Sequence, residues 1–275
     1  MSCYLESSGM QVMFFLLLLT GIVALLEPVH SRIRQFLIVQ LKWGFRKKKE
    51  AYHALFITRL RFYNRLNEEE QHKFLLRTFV FEHSKQFHFI DLTETAEKTA
   101  LISAVAVQLT FGLKKFKLNY FRNIFILKED YHYSHYSSPL EGHVDQTGIY
   151  LSWDRFIKGL DGITRNSNIG LHEMGHALTY VNFITQSEKD PHFHKEFEQF
   201  TSIARPVFEM LESRKHTVFS DYARTNYQEF WANCVELFFE NPLRLRHEFP
   251  QLYASMKRLL RQDPLVILNE ERLAA

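Results

Sequence analysis

Two histidines and a glutamate lie within five residues of one another near the middle of the chain. Residues 171–178 read LHEMGHAL and contain the motif H-E-x-x-H, formed by His172, Glu173 and His176. Because a helix turns about 100° per residue, the two histidines would lie one turn apart on one face, where both imidazoles can bind one metal ion. Glu173 would lie beside that pair and could take a proton from an attacking water. The spacing therefore predicts a Zn²⁺ site with hydrolytic chemistry.

The residues around the motif favour a buried helix over a surface helix with two solvated histidines. The segment Asn166-Ser167-Asn168 precedes the motif and supplies capping side chains. Gly175 costs about 1 kcal/mol relative to alanine inside a helix, so it predicts the close approach of another element. The apolar side chains available for burial are Ile169, Leu171, Met174, Ala177, Leu178 and Val181.

A catalytic zinc site needs a third protein ligand, and the downstream segment 226–240 offers two candidates. It reads NYQEFWANCVELFFE, and its Glu229 and Glu236 are seven residues apart, hence on nearly the same helix face. Spacing alone does not choose between them. Our preferred assignment makes Glu229 the ligand and Glu236 a partner that orients an imidazole. In the alternative, both glutamates are simply solvated, which the many aromatic residues of the segment disfavour.

Two strands are predicted before the motif. Residues 119–127 are rich in aromatic and β-branched side chains, and residues 148–153 form a second such segment, whose edge could pair with an extended peptide. The loop between them contains His132, His135 and His143. Any of these could supply a further metal ligand, or the loop could be an exposed polar and aromatic connection.

The preceding segment, 51–118, is predicted to be a helical lobe. Asn67 is followed by three glutamates, which indicates a cap and an acidic first turn. Residues 96–113 are largely apolar, but they include Glu97 and Lys98, so we predict a buried core helix and not a membrane span.

The N-terminal segment has the composition of a membrane anchor. Residues 10–26 carry no charge, and about 17 residues is the lower limit for a helix that crosses a bilayer. Lysines and arginines follow this segment, which places the rest of the chain in the cytoplasm by the positive-inside rule. A cleaved signal peptide ending near Val29 is the alternative, but no lysine or arginine precedes the apolar segment. Residues 36–45 are predicted to form an interfacial helix.

We therefore predict a single-pass protein of the inner (cytoplasmic) membrane with a cytoplasmic catalytic domain. The expected organisation is a transmembrane anchor at 1–28, a basic juxtamembrane segment at 29–50, the helical lobe at 51–118, a catalytic domain at 119–265 and a tail at 266–275.

Composition excludes several other classes of protein. A net charge of +3 over 275 residues gives no footprint for nucleic-acid binding, and 15% aromatic residues argue against disorder. Cys3 and Cys234 are the only cysteines, too few for a disulfide framework.

The motif segment and the downstream segment DYARTNYQEFWANCVELFFE together resemble the bacterial zinc metallopeptidases of the Mlc titration factor A type, a gluzincin-like group. The resemblance extends over roughly residues 57–265, through NRLNEEEQHKF, NYFRNIFIL and GIYLSW. It implies an α+β fold with a zincin-like metallopeptidase domain, in which a small mixed sheet packs on helices, beside the helical N-terminal lobe and the transmembrane helix.

The resemblance also implies roles for particular residues. His172, His176 and Glu229 would bind zinc, Glu173 would be the catalytic base, and Tyr222 would stabilise the oxyanion. A loop histidine that some members bring to the metal has no clean counterpart, because Tyr133 lies at the matching position. Repressor binding is not carried over, since the N-terminal anchor departs from the soluble members.

Three functions follow from these patterns. The first is a zinc peptidase acting on a peptide or protein substrate. The second is a membrane-tethered regulatory or binding protein, with an unknown protein partner and a structural or vestigial zinc site. The third is a zinc hydrolase acting on a non-peptide amide.

Overall fold

The computed structural model describes residues 42–133, 138–162, 167–213 and 218–266. The chain divides into two compact units, residues 1–50 and 51–275. In the first unit, residues 42–50 are helical. The predicted anchor at 10–26, most of the predicted interfacial helix and His135 lie outside the described residues. Within the described part of the chain, no helix has both the length and the hydropathy needed to cross a bilayer.

The second unit is a mixed α+β structure in which a small sheet packs on helices, as predicted. Its helices are α1 (51–59), α2 (Glu68–His83), α3 (Ala96–Thr110), α4 (Trp153–Leu160), α5 (Ile169–Thr179), α6 (Pro191–Ser213), α7 (Tyr227–Glu240), α8 (Pro242–Glu248) and α9 (Pro250–Leu260). Its strands are β1 (Gln86–Ile90), β2 (Asn123–Leu127), β3 (Gly142–Val144) and β4 (Ile149–Ser152). Short 3-10 turns lie at Tyr63–Arg65 and Asp221–Arg224, and a π-helical turn at Tyr180–Ile184 follows α5.

A capping residue starts α2 where the sequence predicted. Asn67 accepts a hydrogen bond from the backbone N–H of Glu70, at 2.9 Å, and the Glu70 carboxylate accepts one from the N–H of Asn67, at 3.2 Å. This reciprocal pair is a capping box, which satisfies two otherwise unpaired donors at the start of α2. At the start of α3, the Thr95 side chain accepts a hydrogen bond from the Lys98 N–H. The predicted core helix at 96–113 is confirmed as α3, which is buried along most of its length.

The four strands form one mixed sheet in the order β1-β2-β4-β3. β1 pairs with β2 and β2 with β4 in parallel, whereas β3 pairs with β4 antiparallel. The prediction that residues 148–153 offer a free edge is therefore wrong, because β4 lies between β2 and β3. The short β3 occupies that edge, and its three residues carry too little pattern to be recognised as a strand.

Two further differences concern the start of the sheet. β2 begins at Asn123 and not at residue 119, because Leu118 has a positive φ and Phe121 donates its N–H to the Leu118 carbonyl in a turn. β1 was not predicted at all, since it lies in the segment assigned to the helical lobe. Its five residues become a strand by pairing with β2, from which more than 30 residues separate it.

Helix α5 lies at the centre of this unit, in contact with α3, α4 and α7 and with strands β3 and β4. Its tightest position is Gly170, where an added Cβ would lie 2.7 Å from a ring carbon of Phe156. Gly175 does face α7, as its presence in the helix predicted, and its carbonyl accepts a hydrogen bond from the Trp231 indole at 2.9 Å. A Cβ there would meet Val235 only at ordinary contact distance, 3.4 Å.

Candidate metal centre

The motif helix begins at a capping residue that fixes its position. The side-chain oxygen of Asn168, Oδ1, accepts a hydrogen bond from the Leu171 N–H at 3.1 Å. Because α5 is surrounded by other elements, His172 and Glu173 are both buried despite their polarity. Burying such groups costs free energy unless polar partners surround them.

The structure brings the side chains of His172, His176 and Glu229 together. Their potential ligand atoms all lie within 4.8 Å of one another, and they are the one group of this kind among the described residues. Glu229 Oε2 lies 2.9 Å from Nε2 of His172 and 3.5 Å from Nε2 of His176, and the two Nε2 atoms are 3.2 Å apart. Helices α5 and α7 pack directly on each other, which brings residues 57 positions apart into one site.

Glu236 lies behind His172, on the side away from Glu229. Its Oε1 accepts a hydrogen bond from Nδ1 of His172 at 2.7 Å, and its Oε2 accepts one from the backbone N–H of Asn168 at 2.7 Å. A proton held on Nδ1 leaves the Nε2 lone pair available to a metal. The geometry therefore separates the two glutamates: Glu229 faces the Nε2 atoms, and Glu236 holds the ring.

The charges of these groups are strongly coupled. Burial raises the pKa of Glu229, but hydrogen bonds with His172 and His176 outweigh burial and bring that pKa down to about 2. Burial lowers the pKa of His172, yet its bonds to Glu229 and Glu236 prevail and hold that pKa well above the usual value for histidine. The two carboxylates therefore favour the protonated form of His172, and a metal bound at its Nε2 would have to displace that proton.

Glu173 lies next to this cluster and has an unusual environment. Burial raises its pKa to about 7, and its buried Oε2 has no hydrogen-bond partner among the described residues. On its other side is Gly142 of β3, where an added Cβ would lie 2.8 Å from both Cγ and Oε1 of Glu173. A carboxyl with a pKa near neutrality can both take and return a proton, which suits a general base.

Tyr222 lies at the exposed border of the site. It belongs to the 3-10 turn Asp221–Arg224, which begins at the capping residue Ser220. Its ring is 58% exposed, with its centroid 6.2 Å from that of His172. Tyr222 therefore lies on the solvent side of the cluster.

The loop histidines do not join the three ligand atoms in the described part of the structure. His143 lies on β3, where its ring stacks on Tyr150 with centroids 4.2 Å apart, and its Nδ1 lies 2.8 Å from the Tyr131 hydroxyl. His132 is exposed. The sequence did not predict that Gly142 would lie against Glu173. The one signal it offered was a glycine placed just before a histidine in a loop of aromatic residues.

This arrangement defines a class of protein: an α+β domain with an H-E-x-x-H helix and a glutamate from a second helix, as in metallopeptidases. The chain belongs to the family of glucose-regulated metallo-peptidases M90, whose sequence profile matches residues 42–261. This confirms the resemblance to the Mlc titration factor A type. The chain is also similar to the uncharacterized protein slr2042 of Synechocystis sp. (strain ATCC 27184 / PCC 6803 / Kazusa). The two are 25% identical over 234 residues, which is 78% of this chain and 85% of that protein.

Proposed function

We propose that this protein is a zinc-dependent peptidase that uses Glu173 as its general base. The observation that carries the proposal is the convergence of His172, His176 and Glu229 beside a buried glutamate. One carboxylate oxygen of that glutamate has no partner in the described part of the chain. Membership in a metallopeptidase family supports a hydrolase that acts on peptides.

The donor set fits zinc. Two imidazole nitrogens and one carboxylate are the ligands of catalytic zinc sites that keep a fourth position for water. His172 also has the carboxylate partner on Nδ1 that such ligands typically have. When bound, zinc would polarise the scissile carbonyl and lower the pKa of water in the site to about 7.

The chain's own residues then account for the movement of protons. Glu173 takes a proton from the attacking water at its carboxylate and returns it to the leaving nitrogen, for which a pKa near 7 is well matched. Tyr222 donates its phenolic O–H to the negative charge that develops on the former carbonyl oxygen. Glu236 holds the imidazole of His172 in place throughout.

The position of the edge strand β3 favours an extended peptide as the substrate. Its far side is not paired within the described sheet, and Gly142 places its backbone directly against Glu173. An extended peptide that adds to this edge by backbone hydrogen bonds would therefore present its amide groups next to the base. This is the role that the sequence had led us to expect of residues 148–153.

Two substitutions test the proposal by separating metal binding from chemistry. Glu173→Gln should keep zinc and lose peptide hydrolysis, because an amide cannot take the proton. Glu229→Ala should lose zinc. Metal content is measured by elemental analysis, and cleavage with a peptide library with and without a chelator. Glu129→Gln, which alters an exposed carboxylate paired with Lys128, is the matched control and should match the wild type.

Hydrolysis that persists undiminished in Glu173→Gln would refute the peptidase mechanism. It would leave the regulatory or binding protein with a structural zinc site as the better interpretation. A closed structural zinc site needs four protein ligands, whereas the group found within the described residues has three members. The number of ligands therefore favours a catalytic site over a structural one.

We also propose that residues 1–28 anchor the protein in the inner membrane and that the domain after residue 50 faces the cytoplasm. The support is the uncharged segment 10–26 and the basic residues that follow it. In this organisation the lobe at 51–118 contributes β1 to the sheet of the catalytic domain at 119–265. Membrane fractionation and intact-mass analysis of the N-terminus would test it: a soluble protein shortened near Val29 would contradict it.

A further inference from the structure

A cavity of about 220 Å³ is lined by residues other than the three candidate metal ligands. Three arginines line it, Arg59, Arg61 and Arg65, from the end of α1 and the turn that follows. We call this cavity the arginine pocket. Its walls also include apolar side chains, among them Leu60, Phe62, Leu160, Phe239 and Pro264. The volume is below the roughly 300 Å³ at which pockets for drug-sized ligands begin, so a small molecule would fill it.

Positive charge exceeds negative charge around the arginine pocket. Arg59 forms an ion pair with Asp161, with Nη2 and Oδ1 3.1 Å apart. The guanidinium of Arg61 lies over the backbone of Gly162, 3.2 Å from where a Cβ of that residue would be. Glu240 is the one carboxylate among the described lining residues, and the formal charges of Arg61 and Arg65 together exceed its charge. Guanidinium groups offer paired donors in a fixed fork that matches the oxygens of a phosphate group.

A chain of hydrogen bonds connects the arginine pocket to the metal site. Glu240 Oε1 accepts a bond from Nδ2 of Asn168 at 2.8 Å, and Asn168 is itself part of the pocket lining. The backbone N–H of Asn168 donates to Glu236 at 2.7 Å, and Glu236 holds Nδ1 of His172. Asn168 is also the cap of α5. A change in the position of Asn168 would therefore reach both the start of the motif helix and one of the imidazoles.

We propose that the arginine pocket binds a small molecule with a phosphate group, held by Arg61 and Arg65, and that its occupancy alters metal affinity through Glu240, Asn168 and Glu236. The binding itself is independent of the proposed peptidase function, and only its regulatory consequence rests on that function. The charges of Arg61 and Arg65 both favour the ionised form of the Glu240 carboxylate. A phosphate group in the pocket would compete with Glu240 for these two charges and so change how Glu240 holds Asn168.

The test uses the full-length chain in mild detergent, with sulfate as the probe because it is a tetrahedral dianion that binds zinc weakly. Titration calorimetry at constant ionic strength should show saturable binding to the wild type. Arg61→Gln and Arg65→Gln should each weaken that binding by about tenfold or more, since each removes a charge-assisted pair. Arg122→Gln is the control, because Arg122 is exposed and does not line the pocket, and it should bind sulfate as the wild type does.

Glu240→Gln provides a test that misfolding cannot mimic, because it should strengthen sulfate binding. Removing this negative charge from the pocket should tighten binding by about threefold. The zinc dissociation constant, measured with a competing chelator, should differ with and without sulfate. By linkage, zinc should change sulfate affinity by the same factor. No saturable heat, or equal binding by the wild type and both arginine variants, would overturn the site. Sulfate binding with an unchanged zinc constant would overturn the coupling, whatever the outcome of the peptidase assays.

Discussion

Replacing Glu236 with glutamine should weaken zinc binding even though Glu236 does not face the metal position. The carboxylate accepts hydrogen bonds on both oxygens, from Nδ1 of His172 and from the N–H of Asn168, each at 2.7 Å. A glutamine has one oxygen and one NH₂ group, so it can accept from only one of these two donors. Both side-chain orientations of the amide are therefore unfavourable.

In one orientation the amide oxygen faces His172, and the NH₂ group opposes the buried N–H of Asn168. A buried donor left without an acceptor costs about 1–3 kcal/mol of stability. In the other orientation the NH₂ group faces Nδ1 of His172, which must then accept. That moves the imidazole proton to Nε2 and blocks the atom that would bind zinc. Because loss of such supporting contacts typically costs about 10–100-fold in metal affinity, we expect a loss in that range.

The assay is competition for zinc with a fluorescent chelator, combined with thermal unfolding of the metal-free protein. Glu188→Gln is the matched control, because Glu188 is also buried and also accepts a backbone N–H, from Asn119 at 2.9 Å, but does not belong to the metal cluster. It should leave the zinc dissociation constant unchanged. A zinc constant for Glu236→Gln within about threefold of the wild type would refute the reasoning, since it would mean that the orientation of His172 does not depend on Glu236.

Three further predictions concern other parts of the second unit. Gly142→Ala should reduce hydrolysis while zinc content stays at the wild-type level, because the new Cβ would clash with Glu173; equal turnover would count against the close packing seen there. Tyr222→Phe should lower kcat by about a hundredfold with little change in KM if its O–H stabilises the oxyanion, and an unaltered kcat would remove Tyr222 from the mechanism. Burial lowers the pKa of Lys85 to about 7, so the unfolded chain binds more protons than the folded chain between about pH 7 and 10.5. The free energy of unfolding should accordingly rise with pH across that window in the wild type but rise less in Lys85→Met, as denaturant titrations would measure; parallel curves would contradict the shift.

The features that sequence reasoning predicted well are those that neighbouring residues determine. The cap at Asn67 and the buried helix α3 both follow from side chains within one or two turns. Family membership was also recognisable, because two separate segments had to match together. β1 and β3 were missed since each is short and is stabilised by pairing with another strand, information that a local pattern does not contain.

The sequence by itself determined that His172 and His176 would share a helix face with Glu173 beside them, because helical periodicity is a local property. It left open whether Glu229 or Glu236 would approach the imidazoles, since residues seven apart lie on nearly the same face. The packing of α7 on α5 decided this, by placing Glu229 against the two Nε2 atoms and Glu236 against Nδ1. Tertiary structure also decided that β3, and not β4, forms the edge beside Glu173. The physical reason is that these placements depend on contacts between segments distant in the chain, whose geometry is fixed only when the whole unit folds.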